Sequence, residues 1–516
     1  MAKVSISPEG VKYALPDEKA GKEEIKILDE ITAEQTQLGR KVVAIQGLGF
    51  VGAVMAEVVA DSTDSQGKPI YFVHGVQRPS TRSYWKVPVI NKGESPIEAT
   101  DPEVAEIFPR IVKEKKTLRA TWSSYAFSLA DIIVVDIQLD ATKPVFGDAA
   151  KGYCDTGAFE KAIADLGRNI KPDALVLVET TVPPGTCQHI VKPILEKEFK
   201  ARGIDISKNP PRIAHSYERV MPGRNYVSSI RNFWRTYSGI DEESAKIAQE
   251  FLTNVLDTKE YPLYRLNNTN ASELSKTFEN SFRATNIALV YEWTLFAEEV
   301  GINLFEVVKS IRVRPTHKNL MNPGFGVGGY CLTKDPVLAH WASLNVFKRK
   351  KGLEMAVEAV NINDLMPLHS LRLTKSALGG TVSGKHIHLL GASYLSDVGD
   401  TRHSPSEIFW KAAVKEGASL SVHDPLVKVW PEIPEAKVEK DLLGSLKNKD
   451  ALIFAVGHKE YLGLDPEKVV EAAGKPLAVI DTQNLLTDGE IKKYLNLGCK
   501  VKGVGKGHIE TLRRER

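Results

Sequence analysis

Hydrophobic positions in the first half of the chain form short β-branched runs separated by stretches of helical periodicity. The runs predict strands at residues 42–46, 70–77, 132–137, 174–178 and 212–215. Strands that alternate with helices in this way predict a parallel sheet covered by helices on both faces.

A change of pattern follows. Residues 270–300 predict one long helix without Pro or Gly, and residues 356–378 a second helix interrupted only by Pro367. Alternation then resumes, with predicted strands at 386–390, 419–423, 451–456 and 477–481. The pattern predicts an α/β protein with a helical middle section: a polar N-terminal extension over 1–40 with a helix at 22–37, then domains at 41–245, 246–380 and 381–516.

Composition narrows the class of protein. A chain of 516 residues exceeds the size of one core, and its 42% hydrophobic and 26% charged residues are typical of an ordinary soluble protein. The net charge of +3 is small and its basic residues are dispersed, so it favours neither a nucleic acid nor a membrane partner.

Targeting and metal-binding signals are weak. Residues 42–60 reach membrane-span length but contain Gln46, Glu57 and three glycines, and residues 1–40 lack the apolar core of a signal peptide. The four cysteines lie far apart without CxxC spacing, which indicates neither a disulfide framework nor a metal site. We expect a cytoplasmic protein.

A glycine-rich motif follows the first strand of the predicted sheet. Gly47-Leu48-Gly49-Phe50-Val51-Gly52 is a GxGxxG between a strand and a helix, the context in which it binds a dinucleotide diphosphate at a helix N-terminus. A plain tight turn is the alternative. The position that usually contacts the adenosine ribose is Gln77, followed by Arg78, so this motif alone leaves NAD and NADP open.

Cys331 lies in a segment that suggests covalent catalysis. It follows Gly326, Gly328 and Gly329, which can approach a ligand closely and adopt positive φ, and it precedes Lys334, which favours the nucleophilic thiolate. A buried structural cysteine is the alternative.

Three further segments carry candidate polar groups. Residues 179–186, Glu-Thr-Thr-Val-Pro-Pro-Gly-Thr, end a predicted strand. Two interpretations are open: the segment binds a ligand at the edge of the sheet, or Thr186 caps a helix. Lys276 and Asn280 lie four residues apart on one helix face. They either bind an oxygen that develops negative charge during a reaction or are solvated surface side chains. Glu218 follows a buried strand and is either a general base or a surface carboxylate.

Together these motifs resemble the UDP-glucose/GDP-mannose dehydrogenase family. The resemblance runs in family order from residue 41, and the matching segments are GLGFVG at 47, NKGESPI at 91, ETTVPPGT at 179, NASELSKTFENSFRATNIALVYEW at 270, GVGGYCLTKDP at 326, NINDLMP at 361, GASYLSDVGDTRHSP at 391 and DALIFAVGHKEY at 450. It implies two Rossmann-like doubly wound domains, an NAD domain and a UDP-sugar domain, joined by a central helical segment that forms a homodimer or higher homo-oligomer.

The resemblance also implies the roles of particular residues. Cys331 matches the nucleophile, Lys276 the group that stabilises oxyanions, and Asp335 the residue that positions Lys276 and the hydrolytic water. Asn280 matches a neighbour of the reacting carbon, and Glu218 the acid/base glutamate. Cofactor contacts are expected at Gly47, Gly49, Phe50, Val51, Gly52, Gln77, Arg78, Thr181, Lys334 and Arg402. Substrate contacts are expected at Arg219, Phe325, Gly326, Gly328 and Tyr394.

The implied reaction is NAD-dependent, four-electron oxidation of C6 of a UDP-sugar to a carboxylate through a Cys331 thiohemiacetal and thioester. The products of this family usually feed polysaccharide or glycan synthesis. The ERVMPG segment at 218 resembles members acting on UDP-N-acetylhexosamines, whereas YCLTKD at 330 is closer to the UDP-glucose type. We predict an N-acetylated sugar, with UDP-glucose as the alternative.

Two departures from the family pattern stand out. Leu395 occupies the position of a substrate-contacting lysine, and Val135-Asp136-Ile137-Gln138 replaces Val-Pro-Thr-Pro. They leave open a nucleotide-sugar binding protein without catalysis. A two-electron β-hydroxyacid dehydrogenase is disfavoured, because it needs neither the cysteine nor the second α/β domain.

Overall fold

The computed structural model describes residues 3–97, 99–220 and 223–515. Its strands are β1 (Val4–Ile6), β2 (Lys12–Ala14), β3 (Lys41–Gln46), β4 (Tyr71–Val76), β5 (Leu118–Thr121), β6 (Ile132–Val135), β7 (Ala141–Thr142), β8 (Tyr153–Cys154), β9 (Leu175–Val178), β10 (Arg212–His215), β11 (Thr236–Gly239), β12 (Tyr264–Arg265), β13 (His386–Leu390), β14 (Ser419–His423), β15 (Val438–Glu439), β16 (Ala451–Phe454), β17 (Ala478–Asp481) and β18 (Lys500–Gly503).

Helices connect these strands. They are α1 (Glu18–Gln37), α2 (Phe50–Asp61), α3 (Lys86–Asn91), α4 (Pro102–Pro109), α5 (Ala126–Leu129), α6 (Gly157–Asn169), α7 (Lys192–Ala201), α8 (Tyr226–Arg231), α9 (Glu242–Val255), α10 (Thr269–Glu299), α11 (Leu304–Ile311), α12 (Asp335–Asn345), α13 (Glu354–Ala377), α14 (Pro405–Lys415), α15 (Pro466–Ala473), α16 (Asp488–Asn496) and α17 (Ile509–Arg514). In the described part of the chain, none of them has both the length and the apolar character that a membrane span requires.

The chain divides into two compact units. The first contains Met1–Asp140, Cys154–Thr277 and Ala342–Lys348, and the second contains Ala141–Tyr153, Phe278–Trp341 and Arg349–Arg516. Helix α10 contributes its first nine residues to the first unit and the remainder to the second. The predicted domain boundaries at 40, 245 and 380 stay a prediction.

An eight-stranded sheet organises the first unit, in the order β12-β11-β10-β9-β6-β3-β4-β5. Strands β3, β4, β5, β6, β9 and β10 are parallel, and β11 pairs antiparallel with β10. The register pairs Gln46 with Val76 and with Val135, and Val135 with Val178. The carboxyl ends of four strands therefore lie level, and their loops share one edge of the sheet.

A six-stranded parallel sheet organises the second unit, in the order β15-β14-β13-β16-β17-β18. Alternate residues of β16 enter different cores: Ile453 packs with β13 and α14 on one side, while Leu452 and Phe454 pack on the other. Burial on both faces explains why these strands are continuous apolar runs in the sequence. The predicted α/β architecture is confirmed.

Several local predictions need correction. The long helix begins at Thr269, one residue early, and α13 continues through Pro367, which was expected to interrupt it. The arm before residue 41 holds a hairpin, β1 and β2, as well as a helix that starts at Glu18 rather than Lys22. Asp17 explains that earlier start, because its carboxylate accepts the Ala20 N–H and caps the helix.

A buried ion pair joins two loops at the carboxyl edge of the second sheet. Lys506 Nζ lies 2.8 Å from Asp481 Oδ2 and 2.6 Å from the Leu486 carbonyl oxygen, and both charged side chains are almost completely buried. Asp481 also accepts the N–H groups of Gln483 and Leu485. Removal of the cation would leave a buried carboxylate without its counter-charge.

We therefore expect Lys506→Met to lower the free energy of unfolding by about 3 kcal/mol or more, measured by chemical denaturation. The matched control is Lys500→Met, because Lys500 is an exposed lysine on β18, and it should change stability by about 0.5 kcal/mol or less. Equal effects of the two substitutions would contradict the assigned role of the ion pair.

Candidate functional site

The glycine-rich turn after β3 fits only glycine at two positions. Gly47 has a φ of 103°, and a Cβ there would lie 2.8 Å from the Asp136 carbonyl oxygen. A Cβ on Gly52 would lie 1.9 Å from the Gly47 carbonyl oxygen. The turn can therefore close onto the start of α2 only without side chains at these two positions.

The start of α2 suits a diphosphate. Gly49 is the N-cap residue and has no side chain to cap the helix, and a Cβ at Gly49 would meet no atom within 4 Å. Phe50 and Val51 form the first turn, at the positive end of the helix dipole. The turn and the helix start thus have the shape and the N-terminal N–H groups that suit a diphosphate, and the individual NAD contacts stay a prediction.

Gln77 holds the loop after β4 against this turn. Its Oε1 accepts the Leu48 N–H at 3.1 Å, and its Nε2 donates to Ser83 Oγ at 3.2 Å. Arg78, the next residue, is exposed. The residue expected at the ribose therefore also fixes the conformation of its own loop.

Glu218 and Lys276 are neighbours in the first unit. Lys276 Nζ donates to the Glu218 carbonyl oxygen at 2.8 Å and lies 4.0 Å from its carboxylate Oε1. Both residues are buried, and the Lys276 ammonium lies over the Tyr217 ring at 5.4 Å. The structure thus favours a buried acid-base pair over the surface carboxylate that was the alternative for Glu218.

Arg219 also packs against Tyr217. Its guanidinium lies 4.9 Å from the ring centroid and donates to the Tyr217 hydroxyl and to the Trp234 carbonyl oxygen. Met221 and Pro222, in the same sequence motif, lie outside the described residues.

The segment after β9 is fastened to helix α10. Thr186 does not cap a helix through its side chain; its hydroxyl donates to the Pro183 carbonyl oxygen at 2.6 Å. Glu273 on α10 accepts the Gly185 N–H at 2.6 Å and the Cys187 N–H at 2.8 Å. The loop that carries Thr181 is therefore fixed to the same helix that carries Lys276, one turn further along.

A buried carboxyl pair lies at the same edge of this sheet. Asp136 follows β6 and Glu179 follows β9, and Glu179 Oε1 forms a 2.5 Å ion pair with the buried Arg235. As an anion, Asp136 would have two buried oxygens without a hydrogen-bond donor. Burial, reinforced by the charge of Glu179, raises the pKa of Asp136 well above its usual range. Burial also raises the pKa of Glu179, but the Arg235 guanidinium opposes that rise, so of the two carboxyls Asp136 binds a proton more readily.

In the second unit, Cys331 is exposed at the N-terminal end of α12. Its carbonyl oxygen accepts the Asp335 N–H at 2.9 Å, so the cysteine lies one turn before the helix. The positive end of the helix favours a thiolate there. Exposure argues against the buried structural cysteine that was the alternative.

Asp335 is the buried centre of this segment. Lys334 Nζ lies 2.7 Å from its Oδ1, and Asn280 Nδ2 donates to its Oδ2 at 2.6 Å. Asp335 is completely buried, so these two partners compensate a charge that water does not reach. The structure thus brings Asn280, Lys334 and Asp335 together around the turn of Cys331.

The glycines before Cys331 approach their own chain. A Cβ on Gly326 would lie 2.8 Å from Pro405, and one on Gly328 would lie 2.7 Å from the His403 carbonyl oxygen. Only Gly329 of the three expected glycines has positive φ, 77°. Phe325 was expected to contact substrate, but its ring is buried and packs 5.7 Å from the Phe409 ring.

Tyr394 and Arg402 lie on the loop after β13 that packs on these glycines. A Cβ on Gly329 would lie 2.6 Å from the Tyr394 ring. Burial, then the charges of Asp400 and Cys331, raises the pKa of Tyr394, so its hydroxyl remains a donor. Arg402 is held by both carboxylate oxygens of Asp400.

The chain matches three family models in succession. Residues 41–252 match the NAD binding domain, 270–364 the central domain and 388–488 the UDP binding domain of the UDP-glucose/GDP-mannose dehydrogenase family. The chain belongs to this family. It is an NAD-dependent dehydrogenase, which resolves the cofactor choice that Gln77 and Arg78 left open.

Individual relatives agree with this family assignment. A UDP-N-acetyl-D-mannosamine dehydrogenase of Methanococcus maripaludis is 28% identical over 470 residues, covering 90% of this chain and 97% of the relative. The crystal structure of the NDP-N-acetyl-D-galactosaminuronic acid dehydrogenase of Methanosarcina mazei is 30% identical, with a TM-score of 0.77 and coverage of 94% and 98%. The UDP-D-ManNAc dehydrogenase structure of Pyrococcus horikoshii is 26% identical, with a TM-score of 0.76 and coverage of 90% and 100%.

The loop edge of the UDP binding domain of this dehydrogenase holds a polar cluster that the sequence analysis missed. Asp424 Oδ2 lies 3.2 Å from His458 Nε2 and accepts the Ala392 N–H at 2.8 Å. Leu395 is exposed in the adjoining loop. Lys459, at the same edge, pairs with Asp397 at 3.4 Å.

Glu273 yields a pH prediction. Burial raises the pKa of its carboxyl from 4.5 to about 7, although the N–H groups that donate to the carboxyl act to lower it. The folded state therefore binds a proton more tightly than the unfolded state, and the stability contributed by this group falls as pH rises from about 4.5 to about 7.

We expect the free energy of unfolding of Glu273→Gln, relative to that of the wild type, to rise by up to about 3 kcal/mol as pH increases from about 4.5 to about 8. The reason is that the stability contributed by Glu273 falls over this range, whereas glutamine does not titrate. The measurement is chemical denaturation at a series of pH values. The control, Glu279→Gln, alters an exposed carboxylate on the same helix and should show no such trend. A fall in this free-energy difference as pH rises would contradict the account, because it would show that the N–H donors lower the pKa of Glu273 more than burial raises it.

Proposed function

We propose that this dehydrogenase oxidises the C6 hydroxyl of a UDP-N-acetylhexosamine to a carboxylate in two oxidation steps, with Cys331 as the covalent nucleophile. The observation that carries the proposal is the exposed thiol of Cys331, one turn before α12 and next to the buried Asp335. A second oxidation of an aldehyde needs such a nucleophile, because the free aldehyde carbon is a poor hydride donor.

The thiol accounts for four-electron chemistry. The C6 alcohol first loses a hydride and its hydroxyl proton to become an aldehyde. Cys331 Sγ adds to the aldehyde carbon while the thiol proton passes to the aldehyde oxygen, which gives a tetrahedral thiohemiacetal. The thiohemiacetal then loses a second hydride and its hydroxyl proton and becomes a thioester. Water then attacks the thioester carbon, which releases the carboxylate and returns the thiol.

Charged and amide side chains are assigned to the proton and charge changes. Lys276 is a buried ammonium suited to an alkoxide or oxyanion, and Glu218, 4.0 Å from it, is suited to accept the proton of the hydroxyl or of water. Asn280 supplies an amide donor, while Asp335 orients Asn280 and Lys334 through hydrogen bonds of 2.6 and 2.7 Å.

The NAD contacts are proposed at the glycine turn. Gly47, Gly49 and Gly52 with the start of α2 would hold the diphosphate, and Gln77 lies where the adenosine ribose is expected. When bound, NAD⁺ supplies the hydride acceptor, and each of the two oxidation steps uses its own NAD⁺. Thr181 is proposed as a further contact, on the loop fixed by Glu273.

Two observations support an N-acetylated sugar. The relatives at 28–30% identity are named as dehydrogenases of UDP-N-acetyl-D-mannosamine and NDP-N-acetyl-D-galactosaminuronic acid. Arg219 also carries several N–H donors on one guanidinium, and we propose that it contacts the acyl oxygen.

A second copy of the chain is proposed to cover one face of α10. Phe278, Phe282, Leu289 and Phe296 are all exposed and are spaced by four and seven residues, which places them on one side of the helix. Exposed aromatic residues in such a stripe are typical of helix association.

We expect Cys331→Ser to abolish formation of the sugar carboxylate, because an alkoxide cannot be formed from serine at this position as easily as a thiolate. The measurement is mass spectrometry of the sugar product after incubation with NAD⁺ and a UDP-N-acetylhexosamine. Cys499→Ala is the matched control: Cys499 is buried in the core beside the second sheet, just before β18, and should be dispensable for catalysis. Carboxylate production by Cys331→Ser at the wild-type rate would contradict the nucleophile assignment.

A further inference from the structure

The N-terminal arm, β1 to α1, lies ahead of the family-matched region, which begins at residue 41. The arm is nevertheless an integral part of the first unit, because Ser5 and Leu28 are completely buried and Glu24 is nearly so. Burial of these residues requires that the arm keep one fixed position against the NAD binding domain.

Helix α1 is fastened to strands β4 and β5. Thr32 Oγ1 lies 2.8 Å from His74 Nε2 on β4, and Glu24 Oε2 lies 2.9 Å from the Arg119 guanidinium on β5. Burial, then the charge of Arg119, lowers the pKa of His74 to about 3, so the Thr32 contact is a neutral hydrogen bond. Both contacts lie on the strands beside the loop that carries Gln77.

The hairpin contacts that loop directly. Ser5 Oγ on β1 accepts the Trp85 N–H at 3.2 Å, a buried hydrogen bond across 80 residues of sequence. The Trp85 indole donates to the Arg82 carbonyl oxygen at 3.1 Å. At the end of α3, the Lys92 ammonium lies 5.7 Å from the Tyr13 ring of β2. The arm thus holds both the end of the loop and the helix that follows it.

The same loop is bonded to the glycine-rich turn. Gln77 accepts the Leu48 N–H at 3.1 Å and donates to Ser83 at 3.2 Å, and Lys86 Nζ donates to the Leu48 carbonyl oxygen at 2.7 Å. Residues 77–86 are therefore held on one side by the glycine turn and on the other by Ser5. In a dinucleotide-binding sheet, this loop borders the adenosine ribose.

We propose that the N-terminal arm is a clamp for the adenosine half of NAD, in which Ser5 is a positioning residue that fixes residues 77–86 in their binding conformation. The inference rests on the proposed placement of the adenosine ribose at Gln77. A loop already held in the bound conformation loses less conformational entropy on binding, so the arm raises NAD affinity without contacting the reacting atoms.

The test compares two serines of the same hairpin. Ser5→Ala removes the acceptor for Trp85, whereas Ser7→Ala removes a hydrogen bond internal to the arm, in which Ser7 Oγ accepts the Val11 N–H at 3.3 Å. Ser5 and Ser7 are both buried, so the pair separates contact with the loop from the stability of the hairpin.

We expect Ser5→Ala to raise the Kd of NAD⁺ about two- to tenfold by isothermal titration calorimetry, the range set by one neutral hydrogen bond. ADP-ribose, which lacks the nicotinamide, should weaken by the same factor. The KM for NAD⁺ should rise with kcat at saturation unchanged, and Ser7→Ala should retain the wild-type Kd for both ligands.

Equal Kd values for the wild type and Ser5→Ala would overturn the proposed clamp but would not contradict the proposed adenosine site. Equal weakening by Ser5→Ala and Ser7→Ala would also overturn it, because the effect would then be one of hairpin stability. Failure of the wild-type protein to bind ADP-ribose while it still binds NAD⁺ would overturn the proposed adenosine site and the clamp with it.

Discussion

The buried carboxylate of Asp335 is the constraint on which the geometry around the cysteine depends. A charge at the start of α12, out of reach of water, is tolerated because the helix N-terminus, Lys334 and Asn280 all compensate it. The Asp335 N–H in turn bonds the Cys331 carbonyl oxygen. One residue therefore connects three groups: its backbone N–H binds the turn that carries Cys331, and its carboxylate binds Lys334 and the Asn280 amide on α10.

Much of the architecture can be predicted from the local pattern of apolar and polar residues. The parallel strands are short apolar runs bounded by turns, and β10, β13 and β14 have the bounds that the sequence predicts. The β1–β2 hairpin cannot be predicted in this way, because four of its six strand residues are exposed and its one buried residue, Ser5, is polar and bonds a distant loop. Tertiary contact, not propensity, decides such segments.

The candidate site also contains residues that local sequence motifs identify and residues that only tertiary contacts bring together. Gly47, Gly52, Cys331 and Asp335 could be identified because local motifs specify them. The ion pair of Glu179 and Arg235 and the contact of Glu273 with Gly185 join residues 56 and 88 positions apart, so no spacing rule reveals them. Glu273 did leave one signal, a carboxylate three residues before Lys276 on the same helix. The close approaches of Gly326 and Gly328 to residues 403–405 depend equally on the second sheet.

The central claim is that one polypeptide carries out both oxidations through Cys331. The most direct measurement is the number of NADH molecules formed per UDP-sugar consumed by the purified protein, with UDP-GlcNAc, UDP-GalNAc, UDP-ManNAc and UDP-glucose in parallel. The account predicts two NADH per sugar, with the highest kcat/KM on an N-acetylated substrate. One NADH per sugar, with release of an aldehyde, would contradict it.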